Sequence, residues 1–448
     1  MARETVDAHS WHAQYHGHPV HALEVVERQL RAQDKPNLIF FAGDSSLDNK
    51  FWFENRARAT NGYEHILRPP EQKLDVAYHV NKLLEARNPR WACVNTAVEA
   101  TSLNDRAFGR LLEQDRFLRD SVRETDAVVI SVGGNDIALA PLLCTCCNVA
   151  PLLCIGGLCG DAIDRCACAC PPDVYTPCGG ATDCGCCLCG LPGCLTGLCG
   201  FPPGLGYFVD LFGNRVRAYA SNLVAKKKPR VVVVCMIYYL DVNGRGSWAD
   251  ATLQLLGYNY APGVLQRGIR QVYRNATKRI RLNGVPVVAL PLFEVLDGSD
   301  TRDYVQRVEP SPTGGAKLAK AIVDAVLDAT DAEDRSRNPI NTKEQSTTLA
   351  PDTEHSTQAF APGKAPGPSS PPRSGPGARR PPTKRRHAGR RGGCTPCGET
   401  TCRRASAGAA GPSRRATAPS LSVRRQAPRA HRRGPRRLIL RRRPGGLA

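Results

Sequence analysis

Five short apolar runs, rich in β-branched residues, alternate along the chain with longer stretches of helical period. The runs are Leu38 to Ala42, Ala92 to Asn95, Ala127 to Val132, Val231 to Tyr238 and Val285 to Leu290. They are apolar at consecutive positions rather than at every second one, the mark of strands covered on both faces. Leu74 to Ala86, Asp105 to Arg123, Tyr207 to Ala225, Pro262 to Asn283 and Thr313 to Ala329 have the spacing of amphipathic helices. This order predicts an α/β fold: a three-layer α/β/α sandwich around a five-stranded parallel sheet. Such sheets bind ligands beyond the carboxyl ends of their strands, so chemistry is expected in the residues that follow each run.

Two segments break the alternation. Residues 142–200 separate the third run from the helix before the fourth and are read as a Cys-rich insert. Beyond position 331 the periodicity stops, and from Ala361 the chain is dominated by Pro, Gly, Ala, Ser and Arg. A segment of that composition buries too little apolar surface to offset its ordering entropy, so a disordered tail is expected over 331–448. The division is then an N-terminal extension with a first helix over 1–35, a core domain over 36–141 and 201–330, the insert, and the tail.

Charge follows the same division. The formal net charge is +20, yet residues 361–448 hold 23 Lys and Arg against the single acid Glu399, which leaves the front nearly neutral. Basicity therefore belongs to the tail and says nothing of what the folded domain binds. Of the 20 cysteines, 15 lie between Cys144 and Cys199. Met1 to Ala22 shows no apolar run with a small-residue cleavage site, so an intracellular, reducing compartment is expected, where clustered thiols rarely form a disulfide framework.

Directly after the first run comes Gly43-Asp44-Ser45, and the third ends in Gly133-Gly134-Asn135-Asp136. The second ends in Asn95-Thr96-Ala97-Val98-Glu99-Ala100. Three strand ends thus offer a hydroxyl, an amide donor and a turn with free backbone N–H groups. Acyl transfer needs a nucleophile beside donors aimed at the developing oxyanion, each worth about 3 to 4 kcal/mol in the transition state.

The order and spacing of these blocks resemble the SGNH (GDSL-type) hydrolases over 36–141 and 201–330. The resemblance implies an ester hydrolase that needs no cofactor or metal. It implies that Ser45 is the nucleophile and that Asn135 and the backbone N–H of Ala100, at the position of a family glycine, complete the oxyanion hole. Ala at that position is expected to serve with negative φ. No G-x-S-x-G elbow is present, which disfavours an α/β-hydrolase of that type.

The last block departs from the family. Where the resemblance calls for D-x-x-H-P-S, this chain has Gln306-Arg307-Val308-Glu309-Pro310-Ser311, so Glu309 stands in place of the histidine and Gln306 in place of its aspartate. Three explanations stay open. Glu309 acts as the base, although an unshifted Glu is about two pKa units less basic than His. Alternatively His65 or His79 enters the site, or the domain has become a binding protein without catalysis. Asp300 and Asp303, in the loop before Glu309, are read first as solvated loop residues and second as carboxylates that raise its pKa by like-charge repulsion.

The insert has three open readings: zinc binding by its thiols, S-palmitoylation that would make it a membrane anchor, or an apolar lid. A lid or anchor there would suit a lipid or another apolar ester. The tail, almost free of aromatics, is expected to bind any anionic partner without specificity and to release it in salt. Oligomeric state is not legible.

Overall fold

The computed structural model describes residues 4–138, 147–152, 154–155, 167–169 and 200–337. Most of the insert and all of the tail lie outside the described residues, and with them the expectations of zinc, palmitoylation and disorder.

Five strands form one parallel sheet: β1 (Asn37–Gly43), β2 (Trp91–Asn95), β3 (Ala127–Ser131), β4 (Val231–Met236) and β5 (Val287–Pro291). Their spatial order is β5-β4-β3-β1-β2, with every neighbouring pair parallel. The chain order reverses between β1 and β3, where Gly43 lies opposite Ser131. That is the topological switch point, the place where sheets of this kind open a crevice.

Alternate residues of each strand feed two separate cores, which makes the three layers. Leu38, Phe40, Val128, Ile130 and Val232 pack with α2 (Val20–Ala32), α4 (Glu113–Ser121) and the helices of residues 205–223. Ile39, Phe41, Val129 and Val233 pack on the other side with α3 (Val76–Arg87) and α10 (Pro312–Arg337). Both strand faces are dry, so the consecutive apolar pattern seen in the sequence follows from burial on both sides.

Four elements depart from their predicted outlines. The stretch expected as one helix over 105–123 is a 3-10 turn, Asn104–Gly109, followed by α4. Ala107 is extended and Phe108 left-handed, which breaks the helix while Arg106 turns inward to Asp115 at 2.9 Å. The helix expected over 207–225 consists of α6 (Leu205–Val209), a π-helical stretch Asp210–Arg215 and α7 (Val216–Leu223). Helix α9 (Pro262–Asn275) ends earlier than its pattern suggested. Helix α10 runs past Ala329 to Arg337, because Arg230 holds the added turns through Thr330 O at 2.7 Å, Glu333 at 3.0 Å and Asp334 at 2.6 Å.

The first 35 residues contribute core side chains. Val6, Ala8 and Trp11 are buried, and His18 stacks on Trp11 at 3.6 Å between ring centroids. α1 (Ala8–Ala13) is capped by Asp7, which accepts from the Ser10 N–H.

Candidate functional site

Ser45, Asn135 and Glu309 line one cavity at the carboxyl edge of β1 and β3. The two motif glycines set this up. Gly43 has φ of 132°, and a Cβ there would meet the Ser131 carbonyl oxygen at 1.7 Å, so only glycine lets β1 leave the sheet beside β3. Gly133 has φ of 111°, with Phe212 2.7 Å from where a Cβ would lie. Asp44 fixes the turn between them by accepting from the Ser46 N–H at 3.0 Å, and the Ser46 hydroxyl bonds Asp44 Oδ1 and Ser131 Oγ, both at 2.7 Å.

The Ser45 hydroxyl donates to Glu309 Oε1 at 3.1 Å. The other oxygen, Oε2, is buried with no hydrogen-bond partner among the described residues. Burial, and then the charges of Asp44 and Asp48, push the Glu309 carboxyl up to about 8, against the opposing bond from Ser45. The handicap of a glutamate as base is removed by the site itself. Neither Asp300 nor Asp303 does this. Asp300 is spent on Arg302 at 2.8 Å and Asp303 on Lys317 at 2.6 Å.

Glu309 is held from several sides. Val305 and Glu309 pair in a short antiparallel ladder, Tyr238 donates to Val308 O at 2.7 Å, and Asn49 donates to Pro310 O at 2.8 Å. Asn49 also accepts from the Val76 N–H at 3.2 Å, so one buried amide joins the Ser45 turn, α3 and the last block. Ser311 caps α10, its Oγ accepting from Thr313 and Gly314 N–H at 3.1 and 3.2 Å. Gln306 and Arg307 are both left-handed, φ 51° and 67°, a costly backbone for such residues, and Arg307 is anchored by Asp250 at 2.7 Å and Asn259 at 2.9 Å.

On the opposite wall, Asn135 donates from Nδ2 to Thr101 O at 2.9 Å, which leaves its second amide hydrogen for a ligand. The N–H groups of Ser45 and Ala100 are engaged by no hydrogen bond among the described residues. Ala100 has φ of +57°, not the negative value expected; it occupies the left-handed region that favours glycine. It is not among the residues that line the cavity.

The loop carrying Ala100 and Thr101 is tied to the Ser45 turn by Arg106. This buried guanidinium donates to Gly43 O at 3.0 Å, Thr101 Oγ1 at 2.9 Å, Ser102 O at 3.0 Å and Asp115. Asp136 accepts from the Leu103 and Asn104 N–H groups and holds the far end of the same loop.

No histidine of the core domain reaches the cavity among the described residues. His65 sits at the surface 3.3 Å from Glu64. His79 is packed in α3, its pKa lowered by burial to about 4.

A group of charged side chains beside the site escaped the sequence reading. Asp48 and Lys50 form a fully buried pair at 2.5 Å, and Asp48 Oδ2 accepts from the Glu99 N–H at 3.1 Å. Glu99 is buried with neither carboxyl oxygen partnered among the described residues, and burial, Asp48 and Glu309 push it up to about 9. The signal was available: an Asp-Asn-Lys run directly after the Ser45 turn, where a surface loop would place such residues in water.

The cavity is otherwise apolar. It is partly open to solvent and walled by Phe208, Phe212, Met236, Leu253, Leu256 and Ile269. Among the described residues no group of His, Cys, Asp and Glu could hold a metal ion, and no helix is long and apolar enough to cross a membrane.

No family model matches the chain, and no curated protein matches it. Solved structures do. An acetylxylan esterase from Geobacillus stearothermophilus is 15% identical over 64% of this chain and 93% of its own, at a TM-score of 0.29. Phospholipase A1 from Streptomyces albidoflavus NA297 is 12% identical over 64% and 98%, at 0.32. The inhibitor-bound M. smegmatis aryl esterase is 13% identical over 65% and 99%, at 0.30. Likeness of this extent leaves activity to be argued from the site alone. By fold and site the chain is a flavodoxin-like α/β protein with a serine–glutamate pair at the switch point of its sheet.

Proposed function

We propose that this protein is a serine hydrolase of the SGNH type that cleaves carboxylic esters with an apolar acyl group. The observation that carries the proposal is the 3.1 Å hydrogen bond from Ser45 Oγ to Glu309 Oε1, at the mouth of an apolar cavity that Asn135 also lines.

In the first half of the reaction Ser45 Oγ bonds to the ester carbonyl carbon while its proton passes to the Glu309 carboxylate. The carbonyl oxygen takes the negative charge and meets the N–H of Ser45, the N–H of Ala100 and the free amide hydrogen of Asn135. Collapse breaks the carbon–oxygen bond of the alcohol, which leaves with the proton from Glu309. Water then attacks the acyl-Ser45 and gives a proton to Glu309; collapse breaks the bond from Ser45 Oγ to the acyl carbon, Glu309 returns the proton to Oγ, and the carboxylic acid leaves. A single carboxylate with pKa near 8 does the work that the family divides between His and Asp, because proton exchange near neutral pH needs only an acceptor of matched basicity.

A fluorophosphonate probe tests the reading. Labelling of the wild type that vanishes in Ser45→Ala and falls steeply in Glu309→Gln is the expected result. A protein that takes no label and cleaves no ester is a binding protein on this fold.

A further inference from the structure

The wall of the cavity that faces away from the sheet is a short segment with a glycine at each end. Gly246 and Gly257 are left-handed, φ 78° and 70°, and between them lies α8 (Asp250–Leu255). Ala249, Leu253 and Leu256 point inward, line the cavity and are buried. Trp248, at the cavity rim, is 44% exposed, Leu255 59% and, just past the second glycine, Tyr260 77%. The outer face thus presents large apolar side chains beside the single exposed amide of Gln254.

Ala249 and Leu253 cluster with Tyr258 against Leu240, Leu265 and Val308, and polar contacts add to this packing. Asp250 meets Arg307 at 2.7 Å, and Ser247 donates to Gln306 O at 2.5 Å. Both anchors belong to the left-handed pair just before Glu309, so the segment is latched to the loop that carries the base. Tyr258, beyond the second glycine, donates to Leu240 O at 2.6 Å, and its N–H bonds Leu253 O at 2.9 Å.

An aromatic rim continues from it across the surface. Trp248 stacks with Trp52 at 6.4 Å, Trp52 meets Phe51 at 5.9 Å, and Phe51 meets Tyr15 at 4.8 Å. Phe51 and Tyr15 are themselves exposed. Over 243–263 the single acid is Asp250, already engaged by Arg307, whereas Arg245 is exposed.

We propose that Gly246–Gly257 is a cover that opens against a lipid surface, and that the substrate is an acyl lipid drawn from that surface rather than a dissolved ester. This rests on the serine-hydrolase reading. The chemistry of the cover selects the occupant. Opening into water would add the inner apolar side chains to the outer ones already exposed, whereas an acyl phase receives both. Trp and Tyr side chains settle at the boundary between headgroups and acyl chains, and the unopposed Arg245 favours anionic headgroups. The cavity under the cover has the same apolar lining, so the phase that opens it also supplies the ligand.

The test uses the full chain with Leu255→Ser and Tyr260→Ser combined, two residues outside the cavity lining. Flotation with phosphatidylcholine/phosphatidylserine vesicles is measured in the Ser45→Ala background, so it does not depend on turnover. Tributyrin hydrolysis is measured below and above its solubility limit. The expected result is a rise in rate of at least about tenfold on crossing that limit in the wild type, its loss in the double variant with the dissolved-substrate rate unchanged, and weaker flotation of the variant by at least about tenfold. A wild-type rate that shows no rise at saturation overturns the proposal. So does flotation equal in both proteins, the result if the insert or the basic tail alone bound the vesicles. Absence of fluorophosphonate labelling and of all hydrolysis would instead remove the hydrolase reading, while flotation would still report on the surface.

Discussion

Ser45 gives its hydroxyl hydrogen to Glu309, a carboxyl that burial and the neighbouring Asp44 and Asp48 have made about as basic as a weak amine-buffer group, near 8. Only the ionised carboxylate accepts a proton. Hydrolysis of a soluble ester should therefore climb as pH rises, about tenfold per unit well below the pKa, and level off above about 8. Glu309→Gln keeps the size of the side chain but cannot take the proton, and should lose about 10²- to 10⁴-fold in kcat with no limb left in the profile. Initial rates from acid to alkaline pH decide it: a wild-type profile already flat near pH 5 removes Glu309 from the role of base.

The proposed oxyanion cradle makes a separate prediction. Asn135 is oriented by Thr101 O and has one amide hydrogen to spare, so Asn135→Ala should lower kcat by about 10²- to 10³-fold with little change in KM. Ala100 contributes only main chain and sits in left-handed backbone. Ala100→Gly keeps the N–H and relieves a strain of about 1 to 2 kcal/mol, offset in part by the greater entropy of glycine in the unfolded chain. Urea unfolding should show a variant stabilised by up to about 1 kcal/mol with its activity intact. A fall in stability would mean that the left-handed alanine carries no strain.

Much of this was legible in the sequence, for reasons that the structure makes plain. Four of the five strands were visible because they are buried on both faces, so every residue from Leu38 to Ala42 had to be apolar, while β5, at the sheet edge, is half-buried throughout. Ser45 and Asn135 were visible because glycines that no other residue can replace mark the turns before them. Glu309 was placed by the Pro-Ser signal, since Ser311 is the cap of α10. What pushes its carboxyl up was not visible. Asp300 and Asp303 are nearer in sequence, but Asp44 and Asp48 are brought in from 260 residues away by the meeting of β1 with the last loop, and local spacing carries no record of that contact. The cover over the cavity was hidden for a similar reason: its helix is six residues long, too short to leave a period.

Glu99 should impose a pH dependence on stability. Its carboxyl has an ordinary value of 4.5 in the unfolded chain and about 9 in the folded protein, chiefly through burial. The folded state holds a proton that the unfolded chain releases, so the stability tied to this group is complete below about 4.5 and is lost as pH rises towards about 9. Glu99→Gln removes that loss. Thermal unfolding should give nearly equal Tm values for variant and wild type in acid, and a variant higher by several degrees near pH 9, corresponding to a few kcal/mol. Equal Tm values at both ends of the range would show that Glu99 ionises freely in the fold.

Arg106 should be the costliest single loss outside the reacting groups. Its guanidinium is buried, pairs with Asp115 at 2.9 Å, lies over the Tyr219 ring at 4.9 Å, and serves three oxygens of the Ser45 and Ala100 loops. Removing it leaves Asp115 buried without its cation, a defect that typically costs about 3 to 5 kcal/mol. Arg106→Lys separates charge from geometry. An ammonium can stay beside Asp115, but it cannot present a planar fork to Gly43 O and Thr101 Oγ1 at once. The lysine variant should therefore regain much of the stability that Arg106→Ala loses, while its kcat stays low because the turn carrying Ser45 and the loop carrying the cradle are no longer tied together. Chemical denaturation and ester turnover, measured on both variants, separate the two effects. If lysine restores turnover as fully as stability, Arg106 acts through its charge and the tie between the loops is not what sets their positions.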